Sequence, residues 1–149
     1  MLIRTHLAIA VFAMLLCVQK VNNPLVFVFV VLIATMLPDI DCAFSTLGKS
    51  KGLRFLQFFI DHRGPTHSLT FCIVISLILA FFWPTLAFGF FLGYAIHLFS
   101  DSFTKEGIMP FWPYPKKSSW RLKTGGVFES GVFLFFLLVD VFLFIFVIL

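Results

Sequence analysis

Long apolar runs alternate with short polar connections along this chain. The runs are Leu7–Val18, Pro24–Leu37, Leu69–Trp83, Leu86–Phe99 and Val127–Leu149. A full membrane span needs about 20 apolar residues, a length that the last run alone meets cleanly. Gln19-Lys20-Val21-Asn22-Asn23 joins the first two runs, which form either short tilted helices or a re-entrant hairpin. Trp83-Pro84-Thr85 is a proline turn with an interfacial aromatic, and it folds the third and fourth runs into a tight helical hairpin. The expected fold is all-α: a polytopic membrane bundle of about five hydrophobic helices, forming one domain over residues 1–149.

Composition supports that class. Hydrophobic residues make up 60% of the chain and charged residues 12%, too few to coat a water-facing globule. Mean hydropathy is +1.05. Cys17, Cys42 and Cys72 lack metal-type spacing, and Cys17 and Cys72 fall inside apolar runs as small hydrophobes, so no disulfide framework is expected. Arg4 and the apolar stretch after it imitate a signal peptide. No small-x-small cleavage site follows, and Leu16 stands before Cys17 where a lipoprotein site wants a small side chain. The segment is expected to be retained, and His6 with it.

Charge sets the sidedness. The N-terminus and the connections 38–68 and 100–126 are separated by hairpins, so they share one face whether the first hairpin spans or re-enters. Of eleven Lys and Arg, ten lie on that face, from Arg4 to Lys123, and Lys20 alone lies on the other. By the positive-inside rule the shared face is cytoplasmic. The expected location is therefore the inner (plasma) membrane, crossed several times, with Leu149 outside.

All four histidines (His6, His62, His67 and His97) belong to the same face, as do Asp39, Asp41, Asp61, Asp101, Glu106 and Glu129. Imidazole and carboxylate are the ligands that hold zinc and similar divalent ions. His97 and Asp101 are four residues apart, on one face of a helix and close enough to bind one ion. That helix is expected to continue to Glu106, with Gly107 as its stop. Asp101 then sits at the negative end of a helix dipole, as do Asp39 and Asp41 just beyond Leu37, and carboxylates there call for a cation. The partner is a metal or one of Arg54, Arg63 and Lys105. The stretch from His62 to Ser68 reads as a turn into the third run, with Pro65 in a first helical turn. His62 and His67 then flank a helix N-terminus, which favours anions. His6 is either a polar anchor or a ligand. Asp61 is a ligand neighbour or a solvated loop charge, and Glu106, beside Lys105, is a surface charge.

His62-Arg63-Gly64-Pro65-Thr66-His67-Ser68, with Pro38-Asp39-Ile40-Asp41 upstream and Gly93 to Gly107 downstream, resembles the YdjM-like family over roughly residues 5 to 131. These are LexA-regulated, inner-membrane metal-dependent hydrolases. In combination the three motifs are specific. The resemblance implies a helical bacterial or archaeal membrane protein whose histidines and aspartates ligate metal. The family is also distantly similar to zinc-dependent phospholipase C and the P1-type nucleases, all-helical enzymes with a His-x-x-x-Asp pair on one helix. His97 and Asp101 match that pair, with Asp101 implied as a bridge between two ions. Asp39 and one of His62 or His67 would complete the first site, and His6 would serve the second. Those enzymes take further histidines from later helices, whereas this chain has none after His97 and offers only Glu129. One or two ions are expected rather than three.

The reading that follows is a hydrolase using Zn2+ or a similar ion to lower the pKa of a bound water to about 7. Asp41 or Asp61 would take the proton, and Arg63, Arg121 and Lys123 would receive a phosphate. Basic surroundings at a membrane face favour an anionic lipid-linked or other phosphoester substrate. A structural metal site or metal transport is the alternative. Asp140 inside the last run points toward an ion path, but the other runs carry no matching polar stripe. Nucleic acid is not expected as a partner despite a pI near 9.2. The basic charge is accounted for by topology and by membrane lipids, at about 1 kcal/mol per residue near an anionic surface. Met109 to Pro115 reads as an interfacial loop beside that basic cluster.

Overall fold

The computed structural model describes residues 1–41 and 65–148, the side chains of residues 40, 41 and 148 excepted. Within them the chain forms five α-helices: α1 (Ile3–Cys17), α2 (Pro24–Met36), α3 (Leu69–Phe82), α4 (Pro84–Ser102) and α5 (Val127–Ile148). Short 3₁₀ turns cover Val18–Lys20, Leu37–Asp41 and Pro65–His67. Local chemistry explains the boundaries. Pro24 and Pro84 open their helices at positions where the missing N–H is no loss. Ser68 caps α3 by accepting from the Phe71 N–H at 3.1 Å.

Two boundaries differ from the sequence reading. α1 starts at Ile3 rather than Leu7, so Thr5 and His6 are buried helical residues and not an interfacial tail. Polarity misled the apolar count there, because the inward side of the first turns is polar. α4 stops at Ser102 rather than Glu106, and Gly107 is not its terminus. The Phe103 and Thr104 N–H groups bond the carbonyls of Ser100 and Asp101, at 3.3 and 3.0 Å, which tightens and ends the helix. The backbone beyond then pairs through isolated bridges, Thr104 with Leu122 and Ile108 with Ser118. Gly107 serves that loop at φ +58°, where an added Cβ would stand 2.2 Å from the Ser118 carbonyl oxygen.

α4 is the central helix, packed against α1, α2 and α3, while α5 packs on α1. α1 and α5 run parallel: the Leu2 N–H reaches Glu129 at one end, and Gln19 reaches the Val147 carbonyl at the other. α1–α2 and α3–α4 are hairpins. One end of the bundle therefore gathers the starts of α1, α3 and α5 with the ends of α2 and α4. The opposite end holds Lys20, Asn22, Asn23, Pro84 and Thr85 around a cavity of about 290 Å³.

Apolar side chains fill two clusters, one around Cys72, Phe90, Tyr94 and Leu98, the other around Ala10, Met14, Phe27 and Val31. The outside is apolar too: Phe81 is 81% exposed and Phe146 76%. Two stretches, Ile3–Lys20 and Val127–Val147, are long and apolar enough to cross a membrane. α2 has 13 residues, about 20 Å at 1.5 Å per residue, short of a hydrocarbon core of about 30 Å. α2 and α4 meet backbone to backbone at Gly93, where an added Cβ would lie 2.3 Å from the Val31 carbonyl oxygen. That close approach positions the next turn of α4.

Candidate metal centre

His97 follows Gly93 by one turn of α4 and faces the end of α2. Its Nδ1 lies 2.8 Å from the carbonyl oxygen of Thr35. Thr35 is in the last turn of α2, where carbonyls lose their intrahelical partners. A carbonyl only accepts, so Nδ1 carries the hydrogen and donates it. In the neutral ring Nε2 is then a lone pair. It is buried with no hydrogen-bond partner, and it faces Asp39 Oδ1 and Asp101 Oδ2, each at 3.7 Å. Three acceptors converge on one spot. They repel unless a cation stands among them.

Two triads share this imidazole. The ligand atoms of His6, His97 and Asp101 lie within 4.8 Å of one another, as do those of Asp39, His67 and His97. Each contributing segment is different: α1 brings His6, the turn after α2 brings Asp39, the turn before α3 brings His67, and α4 brings His97 and Asp101. His6 and His97 are fully buried, and His67 and Asp101 nearly so. The His6 and His97 rings stack with centroids 4.0 Å apart, while His67 meets His97 edge-on at 5.7 Å. His6 Nε2 lies 3.2 Å from Asp101 Oδ1 without the alignment of a hydrogen bond, and its Nδ1 is buried without a partner. The α-ammonium of Met1 pairs with the same Asp101 oxygen.

The donor set fits a divalent ion such as zinc, because each triad supplies three imidazole or carboxylate ligands. That is the ligand count of catalytic zinc sites, which leave one position for water. A metal-bound histidine usually gives its other N–H to a carbonyl or carboxylate, as His97 does to Thr35.

Not every expected residue joins the centre. Glu129 is buried, but neither triad includes it. One of its oxygens accepts from the Leu2 N–H at 2.6 Å and Thr5 Oγ1 at 3.0 Å, the other from the Gly125 N–H at 2.6 Å. It straps the N-terminus to the start of α5. Asp61, His62 and Arg63, and the side chain of Asp41, lie outside the described residues. Arg121 and Lys123 are exposed in the loop between α4 and α5. Asp140 sits within α5 with its Oδ1 buried and without a hydrogen-bond partner among the described residues.

Three supporting residues escaped the sequence reading. Thr35 holds His97, Thr5 bonds Glu129, and the Tyr94 hydroxyl donates to the Thr66 carbonyl at 2.6 Å, fixing the turn that carries His67. A signal existed for two of them: Thr35 lies four residues before Asp39, and Tyr94 three before His97, the spacing of one helix face.

No curated protein and no solved structure matches the chain, so the likeness to zinc phospholipase C and the P1-type nucleases rests on the His97–Asp101 spacing. A family comparison does match, over residues 1–148 and so across all three motifs. The helices, the apolar exterior and that match agree: the chain belongs to the YdjM inner membrane protein family.

Proposed function

We propose that this inner membrane protein is a metal-dependent hydrolase that acts at the cytoplasmic membrane face on a phosphoester or lipid-linked substrate. One observation carries the reading: His97 Nε2 is buried without a hydrogen-bond partner and faces two carboxylate oxygens at 3.7 Å, a place that suits a bound cation. One or two divalent ions, zinc foremost, would be held here: the single Nε2 lone pair of His97 would serve one ion, with His6 and Asp101 or with Asp39 and His67, and a second ion would rest on the remaining pair. When bound, such an ion lowers the pKa of a coordinated water and polarises a phosphoryl oxygen.

The protein's own groups do the rest. Thr35 fixes the tautomer and aim of His97. Asp41 or Asp61 accepts the proton that the attacking water gives up. Arg63, Arg121 and Lys123 hold the phosphate, the two arginines through bidentate forks. Ten of the eleven basic residues lie in the segments at this end of the chain's hairpins, which supports a multi-pass topology with this end cytoplasmic.

A second reading has its own observation. His6 and His97 are wholly buried and the Met1 ammonium already stands on Asp101, an arrangement that suits a structural ion as well. Metal analysis of the detergent-purified protein beside His97→Ala, followed by assay on p-nitrophenyl phosphate and phospholipid vesicles, separates them. The hydrolase reading expects bound zinc, lost with turnover in His97→Ala, while the variant stays in the membrane. Bound metal without hydrolysis establishes the structural reading. Normal turnover by His97→Ala ends the proposal.

A further inference from the structure

α4 carries a second surface on the side away from the metal centre. At 3.6 residues per turn, Leu92, Ala95, Ile96, Phe99 and Ser102 fall on one face, and His97 and Asp101 on roughly the opposite one. The first set, with Ser118 of the following loop, lines an open groove of about 470 Å³, within the range of about 300–1,000 Å³ that holds small ligands. From Leu92 to Ser102 the helix rises about 15 Å, close to half of a hydrocarbon core about 30 Å thick. The groove is thus one leaflet deep. It is also graded along its length: side chains from Leu92 to Phe99 are apolar, and the hydroxyls of Ser102 and Ser118 stand at the end that the metal centre shares.

Charge identifies the occupant. Between Glu106 and Glu129 the chain has no acidic residue, but it has Lys116, Lys117, Arg121 and Lys123. All four are exposed, and Lys116 and Lys117 run directly into Ser118 at the groove's polar end. Trp112, Tyr114 and Trp120 are exposed in the same loop, the residue types that sit at headgroup level. The loop is held in place by the Ile108–Ser118 pair of backbone hydrogen bonds, 2.9 and 2.8 Å, so little ordering is needed on binding.

We infer that this groove is a binding site for a single anionic glycerophospholipid. One acyl chain lies along α4 beside Leu92, Ile96 and Phe99. The phosphate meets the Ser118 hydroxyl with Lys116 and Lys117, while the Ser102 hydroxyl stays on the Phe99 carbonyl at 2.6 Å. The site lies across α4 from His97 and does not depend on the hydrolase reading.

Native mass spectrometry of the full-length protein in detergent, titrated with phosphatidylglycerol or phosphatidylcholine, tests it. Phosphatidylglycerol should bind roughly 25-fold more tightly, about fivefold for each neutralised lysine. Lys116→Gln/Lys117→Gln should erase that preference and leave phosphatidylcholine binding unchanged. Ala95→Trp, which fills the groove, should weaken both lipids; the lysine pair keeps the test decisive if Ala95→Trp does not fold. Equal binding of the two headgroups, a preference that survives in the lysine variant, or a dimer that excludes lipid from the groove overturns the proposal.

Discussion

Gly93→Ala adds one methyl group at the point where the candidate metal centre is set. The new Cβ would stand 2.3 Å from the Val31 carbonyl oxygen, 3.0 Å from Thr35 Oγ1 and 3.1 Å from the Ala34 Cβ. Two of these atoms are held by the α2 backbone and none is the flexible tip of a long side chain, so α2 and α4 must separate by about an ångström. Overpacking of this kind costs about 1–3 kcal/mol. In a chain of this length that is a fall in Tm of about 2–4 °C for each kcal/mol. The same separation stretches the 2.8 Å bond from His97 Nδ1 to Thr35. Loss of such an outer contact lowers metal affinity by about 10–100-fold. Gly131→Ala is the control: its added Cβ meets nothing within 4 Å on an exposed helical position, and removing a helical glycine there should stabilise by about 0.5–1 kcal/mol. Thermal unfolding in detergent and a competition titration with a chromogenic zinc chelator measure both effects. If Gly93→Ala matches wild type in Tm and zinc affinity, the account of how α2 aims His97 is wrong.

Three further outcomes follow from the same geometry. His97 Nε2 is common to both triads and His67 belongs to one, so zinc affinity should fall further in His97→Ala than in His67→Ala; equal losses would place the ion on Asp39, His67 and His97 alone. Glu129→Gln replaces an acceptor that serves two N–H groups and a hydroxyl, and should lower stability by about 1–3 kcal/mol while zinc content stays at the wild-type level. Chelation should lower Tm by the linkage between binding and folding, about 2.7 kcal/mol when free metal is 100 times its Kd, and zinc should restore it; a Tm indifferent to chelator would mean that no ion joins these triads.

Much of the fold was legible because membrane helices announce themselves by composition. All five apolar runs became helices, and the Trp83-Pro84 hairpin formed where proline and an interfacial ring placed it. Boundaries were harder wherever polar residues turn inward. Thr5 and His6 look like a tail in the sequence, yet they are the buried side of α1. Lys105 and Glu106 look like a helical continuation, but backbone pairing with residues 120–122, distant in sequence, claims that segment. At the site, His97 and Asp101 were readable from a four-residue spacing, whereas the approach of His6, Asp39 and His67 depends on three other segments. Glu129 carried the right chemistry in the right region. Its oxygens went to local N–H and hydroxyl donors instead, a choice fixed by where the N-terminus docks.

The depth of the candidate centre bears on the substrate that the proposed hydrolase would take. His97 lies about five residues before the end of α4 and His6 about three after the start of α1, which sets them roughly 5–8 Å below the helix ends at 1.5 Å per residue. Irregular backbone is excluded from lipid unless protein covers it, so a bundle places reactive groups this deep by mounting them on helices and on the turns that join them. Asp39 and His67 are those turns, and His6, His97 and Asp101 are those helices. A phosphoester carried by a lipid rests at about that level with its chains already in the bilayer, and it needs only lateral diffusion to arrive. A water-soluble phosphoester must instead leave bulk water and descend the same distance. Detergent-solubilised phospholipid should therefore be turned over with a higher kcat/KM than a soluble phosphomonoester. The reverse order would move the substrate off the membrane and leave the buried imidazoles without that explanation.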